Sequence, residues 1–136
     1  MDGSVPDEVN AFFADGTAYD HLVLALSGGA GAGPFPTLDL AELRGGFEAK
    51  FWLHLGILQA ALPRLAADGS ITFITASSAR AALPGTAGLA AINGALEAVA
   101  QAVLLAATNG FMTGNVIEVN GGLSLATGRR TTRSAH

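Results

Sequence analysis

The sequence predicts an α/β fold: a parallel sheet of about three strands with flanking helices. Two observations carry this. Short apolar or β-branched runs, "HLVLAL" at 21–26, "SITFIT" at 70–75 and "NVIEV" at 115–119, alternate with longer stretches of helical spacing. Such alternation is the pattern of strands covered by helices. The composition, 50% hydrophobic and 13% charged over 136 residues, supplies enough apolar surface for one domain with a core.

The elements follow in order. "PDEVNAFFAD" opens on Pro6, Asp7 and Glu8, residues suited to a first helical turn. Val9, Phe12 and Phe13 give it a short apolar face. Strand 21–26 comes next, then the glycine stretch "SGGAGAGPFP" at 27–36. Asp39 can cap a helix that starts near Leu40. The pair Gly45-Gly46 weakens it, and a long helix continues over 47–65. There Phe47, Phe51, Leu55, Leu58 and Leu62 share one side, and Pro63 invites a kink near the end. After strand 70–75, residues 87–107 read as an alanine-rich helix whose one charge is Glu97. Asn93, Glu97 and Gln101 recur every four residues, so this helix has one polar stripe. That suits close packing on another helix. It does not suit a membrane span, where a central carboxylate is costly. Strand 115–119 ends at Gly121-Gly122. Residues 1–128 form the domain, and the basic tail 129–136 lacks apolar periodicity.

Bulk composition excludes several function classes. With 0 cysteines there is neither a disulfide framework nor a thiolate metal site. Three of the 7 basic residues, Arg129, Arg130 and Arg133, stand in the tail, so four face the 11 acids of residues 1–128. An acidic body repels phosphate backbones, so nucleic acid is not the expected partner. The opening residues carry acids where a signal peptide carries bases, so a soluble, cytoplasmic protein is expected. Charge is sparse for a free monomer, and some apolar surface is expected to meet another chain.

The glycine stretch raises the question of a phosphate site. A dinucleotide turn needs G-x-G-x-x-G and then a helix start. Gly29, Gly31 and Gly33 alternate instead, and Pro34 and Pro36 force an extended exit. A flexible turn at a strand's end is the reading favoured. The three histidines, His21, His54 and His136, make no metal-ligand spacing with one another or with a carboxylate pair, and no metal is expected. His21 beside Asp20 reads as a surface pair. Ser77-Ser78 lacks the Gly-x-Ser-x-Gly elbow of a hydrolase and reads as hydroxyls capping a loop. Lys50 is an amine that could act as a nucleophile if buried, although a lysine on a helix face ordinarily reaches solvent.

Taken together, "YDHLVLALSGGAG", "QAALPRL", "GSITFITASSARAALPGTAGLAAINGALEA" and "NGFMTGNVIEVNGG" resemble consecutive parts of the short-chain dehydrogenase/reductase family. The resemblance covers about residues 7–125. It implies a partial Rossmann-like sheet and, by family, an oxidoreductase using NAD or NADP. It also implies a homo-oligomer, formed through the helices over 47–65 and 87–107, whose small residues Ala90, Ala91, Gly94, Ala95 and Ala98 permit close approach.

The chain departs from the family pattern in three ways. The family's first strand and pyrophosphate-binding turn have no counterpart here. "SGGAGAG" aligns instead with the turn after the fourth strand, whose Asn-Asn-Ala-Gly motif reads Ala25-Leu26-Ser27-Gly28 and keeps only Gly28 for the cofactor. The catalytic columns are changed as well. The tyrosine of Tyr-x-x-x-Lys falls on Leu89 and its lysine, which also holds the cofactor ribose, on Asn93. The serine falls on Ala76 or Ser77, and the relay asparagine on Lys50. The family's sixth strand and substrate segment would lie between Ala98 and Val99, which points to a deletion or to part of a longer protein. On these grounds the chain is expected to be inactive and to bind no NAD or NADP, or else to be a non-enzymatic, oligomerising remnant of the fold.

Overall fold

A computed structural model describes residues 1–81 and 83–107. The expected strand 115–119, Gly121-Gly122 and the tail 129–136 lie outside the described residues. Helix α1 spans Pro6–Phe13, with Pro6 at its start and Asp7 and Glu8 in its first turn, as their charges favour. Val9 and Phe13, four residues apart, are buried. Phe12 departs from the expected face: it is exposed and stacks on Tyr19, with ring centroids 6.4 Å apart.

Strand β1 is Tyr19–Leu24 and β2 is Leu65–Phe73. They pair in parallel, as the alternation of elements implies, with His21 opposite Ser70 and Leu24 opposite Phe73. Both begin earlier than the apolar runs, and β1 stops at Leu24. Between Tyr19 and His21 the register jumps from Leu65 to Ser70, so β2 carries an irregular stretch that includes Asp68-Gly69. Gly69 is needed there, since a Cβ would stand 2.9 Å from the carbonyl oxygens of Ala66 and Asp20. His21 is not paired with Asp20; its Nδ1 lies 2.8 Å from Ser70 Oγ across the strands.

The crossover between the strands is one long helical run. Helix α2, Leu40–Gly46, is capped as expected, Asp39 Oδ1 accepting from Ala41 N at 2.7 Å. A wide π-helical turn follows over Phe47–Trp52, then α3 over Leu53–Ala61. Gly45-Gly46 does not interrupt the run. Its α-helical part ends at Ala61, and a tight 3₁₀ turn, Leu62–Arg64, that holds Pro63 leads directly into Leu65. Its buried side is not the aromatic side. Lys50, His54, Ile57, Leu58 and Ala61 are buried, whereas Phe47, Phe51, Leu55 and Leu62 are half-buried and Trp52 is exposed. Helix α4, Ala87–Ala107, matches its sequence-based span and passes through Ala98–Val99 without interruption.

The main core joins Val9 and Phe13 of α1, Leu24 of β1, Ile57, Leu58 and Ala61 of α3, and Ile71 of β2. Ile92 and Leu96 anchor α4. Helix α4 packs on β2, on α2 and directly on the Phe47–Trp52 turn, so the sheet does not separate the two long helices there. Among the described residues no helix is long and apolar enough to cross a membrane.

Candidate functional site

The glycine stretch is a packed turn. Gly31, at φ +89°, is buried under Leu43 of α2, whose Cδ1 would lie 2.9 Å from an added Cβ. A Cβ on Gly46 would stand 2.6 Å from the Ala30 carbonyl oxygen, and one on Gly88 would collide with the Gly31 carbonyl oxygen. Gly33 N donates to Gly85 O at 2.8 Å, and Gly85 sits at φ +74°. The backbone of Ala30-Gly31 thus fills a gap between α2 and α4 that only side-chain-free positions leave open. The exit through Pro34 is extended, as the prolines require, and leads into a 3₁₀ turn at Phe35–Thr37.

Beside this turn a polar cluster is buried between the two long helices. Lys50 projects from the wide Phe47–Trp52 turn, and its Nζ donates to Asn93 Oδ1 at 2.7 Å. Asn93 Nδ2 donates to Ser78 Oγ at 3.2 Å and to the Leu89 carbonyl at 2.9 Å. Of the sequence-based candidates, Lys50 and Asn93 therefore meet. Gly28 borders them, its added Cβ falling 3.8 Å from Lys50 Cβ. Ser77 does not join. A 3₁₀ turn over Ser77–Ala79 leaves it partly exposed and carries the next hydroxyl, Ser78, inward. The serine pair in the sequence is the signal that could have found Ser78. Lys50 does not reach for solvent as a helix-face lysine ordinarily does. Burial pushes its ammonium below the usual lysine range.

His54 lies one turn beyond Lys50 and is fully buried. Its Nδ1 is 2.7 Å from the Lys50 carbonyl, which can only accept, so Nδ1 carries the proton. Its Nε2 is buried with no partner among the described residues. The Leu24 carbonyl acts on the ring without reaching bonding geometry. Burial is the largest influence and holds the imidazole below its usual range. The ring stacks on Phe73 of β2 at 6.0 Å between centroids. At the rim Arg80 Nε bonds Glu97 Oε2 at 2.8 Å, and Thr75 Oγ1 bonds Glu97 Oε1 at 3.2 Å. Among the described residues no group of three or more histidines and acids could hold a metal ion.

No general acid stands on the first turns of α4. Leu89 is a hydrocarbon, and Asn93, whose three polar contacts are given above, is neutral. The cluster can hold a charge and orient hydroxyl and amide groups, but neither Leu89 nor Asn93 is a titrating proton donor.

No protein-family model matches the sequence, and no curated protein matches it. The fold has many counterparts among solved structures. One described as a small-chain dehydrogenase superposes with a TM-score of 0.75 at 28% identity, over 90% of this chain and 79% of that one. A small-chain dehydrogenase in complex with NADPH gives 0.71 at 27% identity, over 79% and 49%. A short-chain dehydrogenase/reductase from Brucella melitensis, described as a glucose/ribitol dehydrogenase, gives 0.65 at 23%, over 76% and 46%, a likeness of fold alone. The chain spans about half the length of the last two. Over the part it shares with them, the chain has the Rossmann-like α/β fold of the short-chain dehydrogenases.

Proposed function

We propose that this chain keeps the frame of an NAD(P)-dependent short-chain dehydrogenase but does not transfer hydride, and that it acts through association with copies of itself. One observation carries the first part. Leu89 occupies the position at which the family resemblance puts a tyrosine proton donor, and a hydrocarbon side chain transfers no proton. General acid catalysis is typically worth about 10²–10⁴ in rate. Two further features support the reading. Asn93, in the family's lysine column, is held by Lys50, Ser78 and the Leu89 carbonyl. The glycine turn that could face a cofactor is filled by its contacts with Gly46 and Gly88, and these residues do not fit a pyrophosphate.

The test is titration with NADH and NADPH, followed by nicotinamide fluorescence, on the parent and on a Leu89→Tyr/Asn93→Lys double variant. Neither saturable micromolar binding nor turnover of aldehydes and ketones is expected from either protein. Saturable binding by the parent would overturn the cofactor part of the reading. Turnover by the double variant would show that the frame still catalyses once the pair is restored.

The association part rests on the outer side of the crossover. Trp52 is 52% exposed, and the rings of Phe47, Phe51 and Trp52 form a continuous edge-to-face run. Close by, α4 offers Ala91 and Ala98 to solvent with Gly94 between them. An apolar strip beside a small-residue helix suits a homo-oligomer built through both helices. Sedimentation of the full chain at micromolar concentration is expected to show a species larger than the 13.6 kDa monomer. A monodisperse monomer would refute it.

A further inference from the structure

Lys50 is a buried cation without a counter-charge among the described residues. It is 8% exposed, and it forms no salt bridge with any of the described residues. Glu97 stands one turn along α4 from Asn93, but Arg80 and Thr75 hold both of its oxygens. Burying an unpaired ammonium is costly, and either deprotonation or a counter-ion relieves it.

The donor count favours the counter-ion. An ammonium has three N–H groups, and only one has an acceptor among the described side chains, Asn93 Oδ1. Ser78 is 7% exposed and accepts from Asn93 Nδ2, so its own hydroxyl hydrogen remains to be given. The Asn93 amide, 3% exposed and bonded at both ends, fixes the spacing of the two groups. What remains is two kinds of donor flanking one amide, with no acceptor among the described residues. Two donors at the two ends of one amide are better met by the two oxygens of a carboxylate, one each, than by a spherical halide. The neighbouring chain carries little bulk: Gly28, whose added Cβ would fall 3.8 Å from Lys50 Cβ, and the next residue, Gly29, are both exposed.

We propose that Lys50 and Ser78, spaced by Asn93, form a binding site for a small carboxylate that enters past Gly28 and Gly29. The anion supplies the missing negative charge and accepts from both donors. This inference is independent of whether the chain transfers hydride.

The experiment uses the full chain with sodium acetate as the probe, and sodium chloride at equal ionic strength as the control. Calorimetry of the parent is expected to give a saturable single-site isotherm for acetate, and the thermal midpoint is expected to rise with acetate but not with chloride. Ser78→Ala removes one hydrogen bond to a charged acceptor and is expected to weaken acetate binding about tenfold. Lys50→Met is expected to abolish it. Absence of a saturable isotherm in the parent overturns the proposal. So does an equal response to chloride, or undiminished binding in a folded Lys50→Met. If Lys50→Met does not fold, Ser78→Ala and the ¹⁵N resonance of the Lys50 ammonium decide. Acetate must shift that resonance in the parent, and an unmoved resonance refutes the site.

Discussion

Two neighbouring glycines should respond in opposite ways to the same substitution. Gly45 and Gly46 lie within one continuous helical run, where replacing glycine by alanine ordinarily stabilises by about 1 kcal/mol. At Gly45 an added Cβ meets nothing within 4 Å, so that gain should appear in full. At Gly46 the Cβ would stand 2.6 Å from the Ala30 carbonyl oxygen and 3.2 Å from its carbon. Backbone cannot yield as a side-chain tip can, so α2 and the turn must separate. Forcing extra volume into a packed site costs about 1–3 kcal/mol. Against the same helical gain, the net effect at Gly46 is a loss of up to about 2 kcal/mol. The two variants should therefore melt on opposite sides of the parent, by roughly 3–5 °C per kcal/mol for a chain of this size. Thermal unfolding followed by circular dichroism measures both midpoints. If Gly46→Ala melts as high as Gly45→Ala, the glycine turn does not lie on α2 as described, and the packing account of the stretch fails.

Three further outcomes are expected. His54 has a folded pKa below the ordinary 6.5, so the unfolded chain takes the proton first. Stability is then constant above that value and falls as pH drops through the window below it. His54→Phe should flatten the acid slope of the urea midpoint measured between about pH 7.5 and 5, and an unchanged slope would remove His54 as its source. Trp52 is the one tryptophan of the chain, so dilution of an oligomer closed over the Phe47–Trp52 strip should shift its emission to the red. A maximum independent of concentration, in a chain that stays associated, would place the interface elsewhere. Gly94→Ala adds a methyl that meets nothing within 4 Å in one protomer, so it should raise monomer stability while weakening self-association. Equal or tighter association in sedimentation would exclude Gly94 from the contact.

The order of elements was legible because it rests on period and composition. "HLVL" and "ITF" are apolar and β-branched, and the span 87–107 lies within the longest stretch, 85–117, without Pro or a charge other than Glu97. What was not legible came from tertiary contact. Strand β2 starts at Leu65 because β1 lies beside it, and no local pattern in "LAADG" announces a strand. On the crossover, the aromatic stripe is the stronger periodic signal, yet the buried side carries Lys50 and His54. A polar residue at helical spacing reads as surface until the groups facing it are known, and here they come from α4 and from the Ser77–Ala79 turn, more than twenty residues away. The choice between Ser77 and Ser78 turned on a single 3₁₀ turn, which no spacing rule fixes. The glycines of 27–36 were legible as a turn, but their reason lies in Gly46 and Gly88, on two other elements.

That three-way meeting has a consequence for the order in which the chain assembles. Gly31, Gly46 and Gly88 come from three segments, and the last is separated from the first by the whole crossover and β2. Contacts so far apart in sequence are paid for by loop closure and form late. Helix α4 is therefore expected to seat against the turn after β2 has found β1. The joint is then a lock applied to a finished frame, and the bulk of a methyl at Gly88 would be felt as faster unfolding, with the rate of folding left almost unchanged.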